Sequence, residues 1–296
     1  MYPMSYIEPV FRPPSEWKSL ILQVTNGCSW NKCTFCDMYT DPQKRFQPQD
    51  LLAIEAQLRQ IVESGYPVHR VFLADGDAMT LSTRRLHEIM DMLNRWLPHK
   101  PRVSAYCLPR NLRNKTVEDL KALRAKGLSL LYVGCETGDN ELLTRISKGE
   151  SFDSSLEALE KMHAAGIKSS VMVLNGLGGP DLSERHALES ARLMNAAQPH
   201  YLSTLVVEFP KGTQRFNDPF EGRWRKLGKL ELFREMETFL SALELNSTIF
   251  RSDHASNYLV LKGVLGKDKQ ALLDIVRTAI NQPGRIPLRE EWQRGL

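Results

Sequence analysis

Short apolar runs alternate with stretches of helical periodicity along most of the chain. Apolar runs at 20–24, 70–73, 103–108, 128–134, 168–174 and 201–209 predict strands, and 248–251 suggests one more. Helical spacing falls at 49–64, 81–97, 116–126, 140–147, 152–165, 182–197, 230–242 and 267–280. In the first of these, Leu51, Leu52, Ile54, Leu58 and Ile61 share one side. Ser82 or Thr83 would cap the second, and Gly127 follows the third. Strand and helix thus alternate six times, which predicts βαβ units on a parallel sheet. The expected fold class is α/β, a partial (β/α)6 barrel; an open doubly wound sheet is the competing arrangement. Cys28, Asp75, Glu136, Asn175 and Glu208 all fall at or near the carboxyl ends of predicted strands. That rim carries the chemistry of parallel barrels, which favours the barrel. The expected organisation is an irregular arm at 1–18, the barrel at 19–250 and an extension at 251–296 that covers the barrel opening.

The 296 residues are 42% hydrophobic, enough for a sizeable core. No run approaches a membrane span, and the amino end lacks the basic-then-apolar pattern of a signal peptide. The net charge of +4 comes from 39 basic and 35 acidic residues, well mixed. Neither a membrane nor a nucleic-acid partner is expected from that balance. The odd number of cysteines argues against a disulfide framework, and a reduced, cytoplasmic setting is expected.

Three of the five cysteines crowd into nine residues. Cys28, Cys33 and Cys36 are spaced C-x4-C-x2-C, and Cys107 and Cys135 lie far off in apolar runs. A [4Fe–4S] cubane normally takes four thiolates. Three close ones suggest a cluster with one open iron, where a small molecule could chelate. A structural zinc site would want four ligands in paired spacings, and the nearest histidine, His69, fits none.

With Phe35 just before the last cysteine, this stretch resembles the cluster motif of radical S-adenosylmethionine (SAM) enzymes, although its first spacing is one residue longer. The resemblance implies a [4Fe–4S] cluster on Cys28, Cys33 and Cys36, with SAM as second cofactor. It runs over roughly 20–213. Asp75-Gly76-Asp77 stands where the family holds the methionyl amino group of SAM. Val133-Gly134-Cys135-Glu136-Thr137-Gly138 resembles the segment after the family's fourth strand. By that resemblance Glu136 approaches SAM, and Lys148 or Arg145 faces its carboxylate. Asn175 opens a glycine-rich loop like one that packs near the adenine. Ser104 and Tyr106 share one face of the third strand and would border SAM or substrate. Asp253-His254-Ala255-Ser256-Asn257-Tyr258 resembles a segment in one group of the superfamily.

The implied activity is reductive cleavage of SAM to a 5′-deoxyadenosyl radical that acts on a small-molecule substrate. An electron donor such as flavodoxin or ferredoxin would be needed. The longer cysteine spacing motivates an alternative, cleavage to a 3-amino-3-carboxypropyl radical or group transfer. A reading from another class is a non-catalytic iron–sulfur or redox-sensing protein. With three of five cysteines used, no auxiliary cluster is expected.

Overall fold

A computed structural model describes residues 4–97, 99 and 101–295. Its strands are β1 (Leu20–Gln23), β2 (Thr25–Asn26), β3 (Gln47–Pro48), β4 (Arg70–Ala74), β5 (Arg102–Cys107), β6 (Leu128–Glu136), β7 (Lys168–Asn175), β8 (Tyr201–Val206), β9 (Ile249–Ser252) and β10 (Leu261–Val264). Its helices are α1 (Leu51–Glu63), α2 (Thr83–Trp96), α3 (Val117–Ala125), α4 (Asn140–Arg145), α5 (Phe152–Ala164), α6 (Gly179–Ala197), α7 (Gln214–Asn217), α8 (Lys229–Ala242) and α9 (Leu265–Asn281). The sheet order is β1-β4-β5-β6-β7-β8-β9-β10, while β2 and β3 pair separately. The β1–β4, β4–β5, β5–β6, β7–β8 and β8–β9 ladders are parallel, and β10 runs antiparallel to β9. All six expected βα units are present, and no strand pairing closes the sheet among the described residues. The fold is therefore of the partial (β/α)6 barrel type.

Helix boundaries follow local chemistry. Asp50 caps α1 by accepting from Leu52 N–H, Ser82 caps α2 through Arg85 N–H, and Thr116 with Asp119 forms a capping box on α3. One expectation needs correction. Leu52 does not join the buried side of α1: it is 74% exposed, while Ile54, Leu58 and Ile61 are buried. It sits beside the apolar stripe, two residues before Ile54, where the helical turn carries it to solvent.

The chain forms two compact units. The first comprises residues up to Asn31, Met38–Val133 and Ala158–Ser169. Its amino-terminal arm is irregular, with one tight turn at Pro14–Glu16. Residues 1–3 of the arm lie outside the described residues. Tyr6 packs on Ile21 and Phe72 and donates to Ile21 O at 3.0 Å. Glu16 is buried and accepts from Tyr132 Oη at 2.7 Å and Arg102 Nη2 at 3.0 Å. Phe72, Tyr106 and Tyr132 meet edge to face, with Phe72 and Tyr106 centroids 5.0 Å apart.

The second unit comprises Lys32–Asp37, Gly134–Glu157 and Ser170–Leu296. Its apolar core joins Leu142, Ile146, Leu174, Leu177, Phe216 and Trp224, with Phe35 packed against it. A buried polar network braces β7 and α6. Glu235 accepts from Gly176 N–H at 2.7 Å, Asn175 Nδ2 at 3.3 Å and Ser183 Oγ at 2.5 Å. His186 lies 2.8 Å from Thr137 Oγ1 and 4.0 Å from Glu235. Burial pushes the His186 pKa below its ordinary 6.5, against the pull of Glu235 and Asp139. An unfolded chain protonates this histidine more readily than the folded one. Its contribution is therefore complete above about pH 6.5 and is lost as pH falls toward the lowered folded value. Urea unfolding at pH 7.5 and 5.5 is expected to show a smaller acid loss in His186→Gln than in the parent.

The tail after α9 is buttoned onto 253–258. Arg289 donates to His254 O, Asn257 O and Asp253 O, and Arg294 stacks on Tyr258 with 3.7 Å to the ring centroid. His254 Nδ1 accepts from Ser256 N–H at 3.1 Å, and Asn257 Oδ1 accepts from Val206 N–H at 2.9 Å. Both residues fix this turn.

Candidate functional site

The cysteine loop lies between β2 and β3 and has no regular structure of its own. Cys28, Cys33 and Cys36 are half-buried thiols, whereas Cys107 and Cys135 are buried ones. Cys28 belongs to the first unit, Cys33 and Cys36 to the second.

In the first unit, Asp75-Gly76-Asp77 follows β4 directly. Asp75 is fully buried and forms an ion pair with Lys44, itself fully buried. The Asp75 carboxylate also accepts from Gly76 N–H at 2.9 Å and Gln23 Nε2 at 3.4 Å, and hydrogen-bonds with the Tyr39 hydroxyl. Lys44 also donates to Ile7 O at 2.8 Å and lies 5.8 Å from the centre of the Tyr39 ring. Tyr39 Oη accepts from Gly76 N–H at 3.0 Å. Burial, followed by the nearby Asp75 charge, holds the Tyr39 phenol above its ordinary range, so the hydroxyl stays neutral. Asp77 is also fully buried, and its carboxylate accepts from Ser29, the residue after Cys28.

Gly76 is where the two segments touch. A Cβ there would fall 2.2 Å from Gly27 O and 2.7 Å from Cys28 Cα, and its φ is +34°. Both obstacles are backbone and cannot swing aside. Gly76→Ala is expected to displace the cysteine loop, cutting iron retention by about tenfold, in the range of lost outer-shell support. Iron analysis after anaerobic reconstitution, beside a thermal unfolding curve, checks this.

In the second unit, Glu136 ends β6 at a φ of +65°, and its carboxylate meets Lys148 Nζ at 2.7 Å. Both are buried. Gly134 leaves room for this pair, since a Cβ there would lie 2.2 Å from Glu136 Oε1. Burial alone would lower the Lys148 pKa. The Glu136 carboxylate, through its charge and hydrogen bond, outweighs it and holds the ammonium above the ordinary lysine value. Lys148 Nζ stands 5.7 Å from the centre of the Phe35 ring. Thr34 N–H donates to Ile146 O at 3.0 Å, and Arg215 donates to Cys33 O at 3.3 Å while pairing with Asp37 at 2.9 Å. The fold thus brings Cys33, Phe35, Glu136 and Lys148 together. Arg145 instead pairs with Glu141 and lies over Phe220.

Ser104 is buried in mid-strand, 3.5 Å from Val71 O. Asn175 ends β7, with Nδ2 toward Glu235 and no partner for Oδ1. It lines a cavity of about 30 Å³ with Val206, Ser252, Asn257 and Tyr258. Lys44, Tyr39, Asn111 and Glu235 were not foreseen from the sequence. They lie tens of residues from the motifs they serve, and no spacing rule announces them.

Among the described residues, no group of three or more His, Cys, Asp or Glu is arranged to hold a metal ion. The donor chemistry nevertheless fits an iron–sulfur cluster with one open iron. Three thiols share one loop, and the Lys148 ammonium lies near one of them, Cys33. Cys135 is buried in β6, away from this loop in the sequence, and burial pushes its thiol up to about 12. The orphaned Asn175 Oδ1 suits a donor from a second ligand.

Comparison with known proteins adds the following. The family model "Radical SAM superfamily" matches residues 22–194. The heme chaperone HemW of Bacillus subtilis (strain 168) is 28% identical over 186 residues, covering 60% of this chain and 48% of the relative. The chain thus spans about half the length of that curated relative. Coproporphyrinogen III oxidase (HemN) from Escherichia coli superposes with a TM-score of 0.54 at 16% identity, over 75% of this chain and 52% of that one. The methyltransferase TsrM from Kitasatospora setae, solved with cobalamin and a [4Fe–4S] cluster, gives 0.51 at 19% identity, over 63% and 36%. At these identities the structural matches speak to fold. Among the described residues no helix is long and apolar enough to cross a membrane.

Proposed function

Because the chain belongs to the radical S-adenosylmethionine superfamily, we propose that it is an enzyme that cleaves SAM reductively and directs the resulting 5′-deoxyadenosyl radical at a small-molecule substrate. The observation that carries this is the three-thiol loop, with Lys148 and Phe35 packed at its second half. Cys28, Cys33 and Cys36 would hold a [4Fe–4S] cluster. That cluster, when bound with SAM on its open iron, supplies the electron that splits the sulfonium.

The chain's own residues have separable tasks. Lys148 keeps a positive charge beside Cys33, which favours the thiolate a metal requires. Phe35 seals that side of the loop against the apolar core of the second unit and keeps water from it. Glu136 holds the Lys148 ammonium in place through its ion pair at 2.7 Å. Asn175 offers a carbonyl oxygen to an adenine or ribose donor of SAM, held in that orientation by Glu235. Asp75 is occupied by Lys44, so backbone groups of the 75–77 turn, rather than its carboxylate, would meet the methionyl amino group. An external donor such as flavodoxin or ferredoxin would deliver the electron.

The test is anaerobic. The protein is reconstituted with iron and sulfide, given SAM and dithionite, and the nucleosides are identified. 5′-Deoxyadenosine supports the proposal. Methylthioadenosine alone would move the protein to 3-amino-3-carboxypropyl chemistry. Neither nucleoside, with an intact cluster, would favour a non-catalytic iron–sulfur protein, a reading supported by the 28% identity to a heme chaperone.

A further inference from the structure

Asp77 takes an unexpected set of partners. Its Oδ1 accepts from Ser29 N–H at 2.8 Å, and its Oδ2 accepts from Ser29 Oγ at 2.5 Å and Asn111 Nδ2 at 3.0 Å. Both oxygens are therefore committed within the protein. Asn111 is itself fixed, because its Oδ1 accepts from Leu108 N–H at 2.7 Å and its carbonyl accepts from Lys115 Nζ at 3.2 Å. It belongs to the tight turn Pro109–Leu112 that follows β5. The preceding residue of that turn, Arg110, lays its guanidinium over the Trp30 ring, 3.7 Å from the centroid.

We propose that the Pro109–Leu112 turn and Asp77 form a clamp that sets the Cys28 end of the cysteine loop for its ligand. Two neighbouring loop residues are gripped from one turn, by different chemistry. Ser29 is held through the Asn111–Asp77 hydrogen bonds and Trp30 by the Arg110 stack. Gly76 closes the grip, since its backbone is pressed against Gly27 and Cys28. Asp77 and Asn111 are buried and hydrogen-bonded while Ser29 is exposed, so the clamp ties an exposed loop residue to the core. Asp77 is on this view a positioning residue for the cysteine loop and not a SAM contact. The inference rests on the proposed function only for what the loop holds.

The test has one arm that needs no cluster. In the apoprotein, hydrogen exchange of residues 27–31 is followed by mass spectrometry. Asp77→Asn places an amide against the Asn111 amide and loses an acceptor, so exchange there is expected to quicken about tenfold. Adding Asn111→Asp to the same chain restores the pair with donor and acceptor exchanged, and slow exchange should return. Arg110→Ala, which removes the stack on Trp30, should quicken exchange by itself. In reconstituted protein, Asp77→Asn should lose iron to a chelator about tenfold faster, and its reduced-cluster resonance should change. The Asp77→Asn/Asn111→Asp chain should recover both. Unaltered exchange in both Asp77→Asn and Arg110→Ala would overturn the clamp, as would altered exchange with unaltered iron loss. A parent protein that takes up no cluster would sink the proposed function, while the exchange arm would still decide the clamp.

Discussion

Replacing Cys33 by alanine is expected to abolish cluster loading and, with it, SAM cleavage. Cys33 is the loop thiol whose charge interaction with the Lys148 ammonium is largest, and the two cysteines outside the loop are buried. Cys135 is buried and protonated, and Cys107 is buried with its thiol donating to Leu108 O. Loss of an outer-shell partner typically costs 10–100-fold in metal affinity or activity, so losing a ligand should cost more than about 100-fold. The broad iron–sulfur absorbance and the nucleoside yield should fall together, while far-UV circular dichroism stays that of the parent. A Cys107→Ala chain should behave as the parent in both. Full nucleoside yield from Cys33→Ala would remove the loop from the mechanism.

Lys44→Ala is expected to give the largest loss of stability. Lys44 and Asp75 are both fully buried, and the ammonium meets the carboxylate, Ile7 O and the Tyr39 ring. Removing it leaves a carboxylate in the core without the cation it pairs with among the described residues. Breaking a buried pair in this way costs about 3–5 kcal/mol, which for a chain of this size lowers Tm by roughly 10 °C. Replacing both partners, as in Lys44→Met with Asp75→Leu, should recover most of that loss, because the charge and its desolvation leave together. Differential scanning calorimetry of the parent, single and double variants checks the ordering. A single variant as stable as the parent would show that the pair is dispensable.

The sequence revealed the fold through periodicity. Six apolar runs separated by helical stretches were enough for the βα units, because strands buried on a parallel sheet read as continuous apolar segments. β10 escaped notice because Leu261–Val264 has four residues and a glycine, and only its pairing with β9 makes it a strand. β2 and β3 have two residues each and exist through each other. α6 begins three residues earlier than its apolar pattern, because Pro180 sits in its first turn, where a missing N–H costs nothing. β8 stops at Val206, short of the apolar run, as the chain turns toward Pro210.

The site was legible where spacing carries meaning and illegible where partnership does. The cysteines announce themselves at C-x4-C-x2-C. Lys44 lies 31 residues from Asp75, Asn111 34 from Asp77 and Glu235 60 from Asn175. Lys44 reads as an ordinary loop lysine and Glu235 as one more charge on an amphipathic helix, yet both are buried. Asp75 and Asp77 drew attention as carboxylates for an ammonium group. In the folded chain their oxygens face Lys44 and Ser29.

Whether the three thiols hold a cluster with an iron open to SAM is decided by the electron paramagnetic resonance spectrum of the reconstituted, dithionite-reduced protein, with and without SAM. A [4Fe–4S] signal is expected that is lost in Cys28→Ala, Cys33→Ala or Cys36→Ala, and that changes when SAM is added, as it should if SAM takes an iron with no protein ligand. A signal indifferent to SAM would mean that no iron is open to it. Absence of any cluster signal in the parent would mean that the three thiols serve something else.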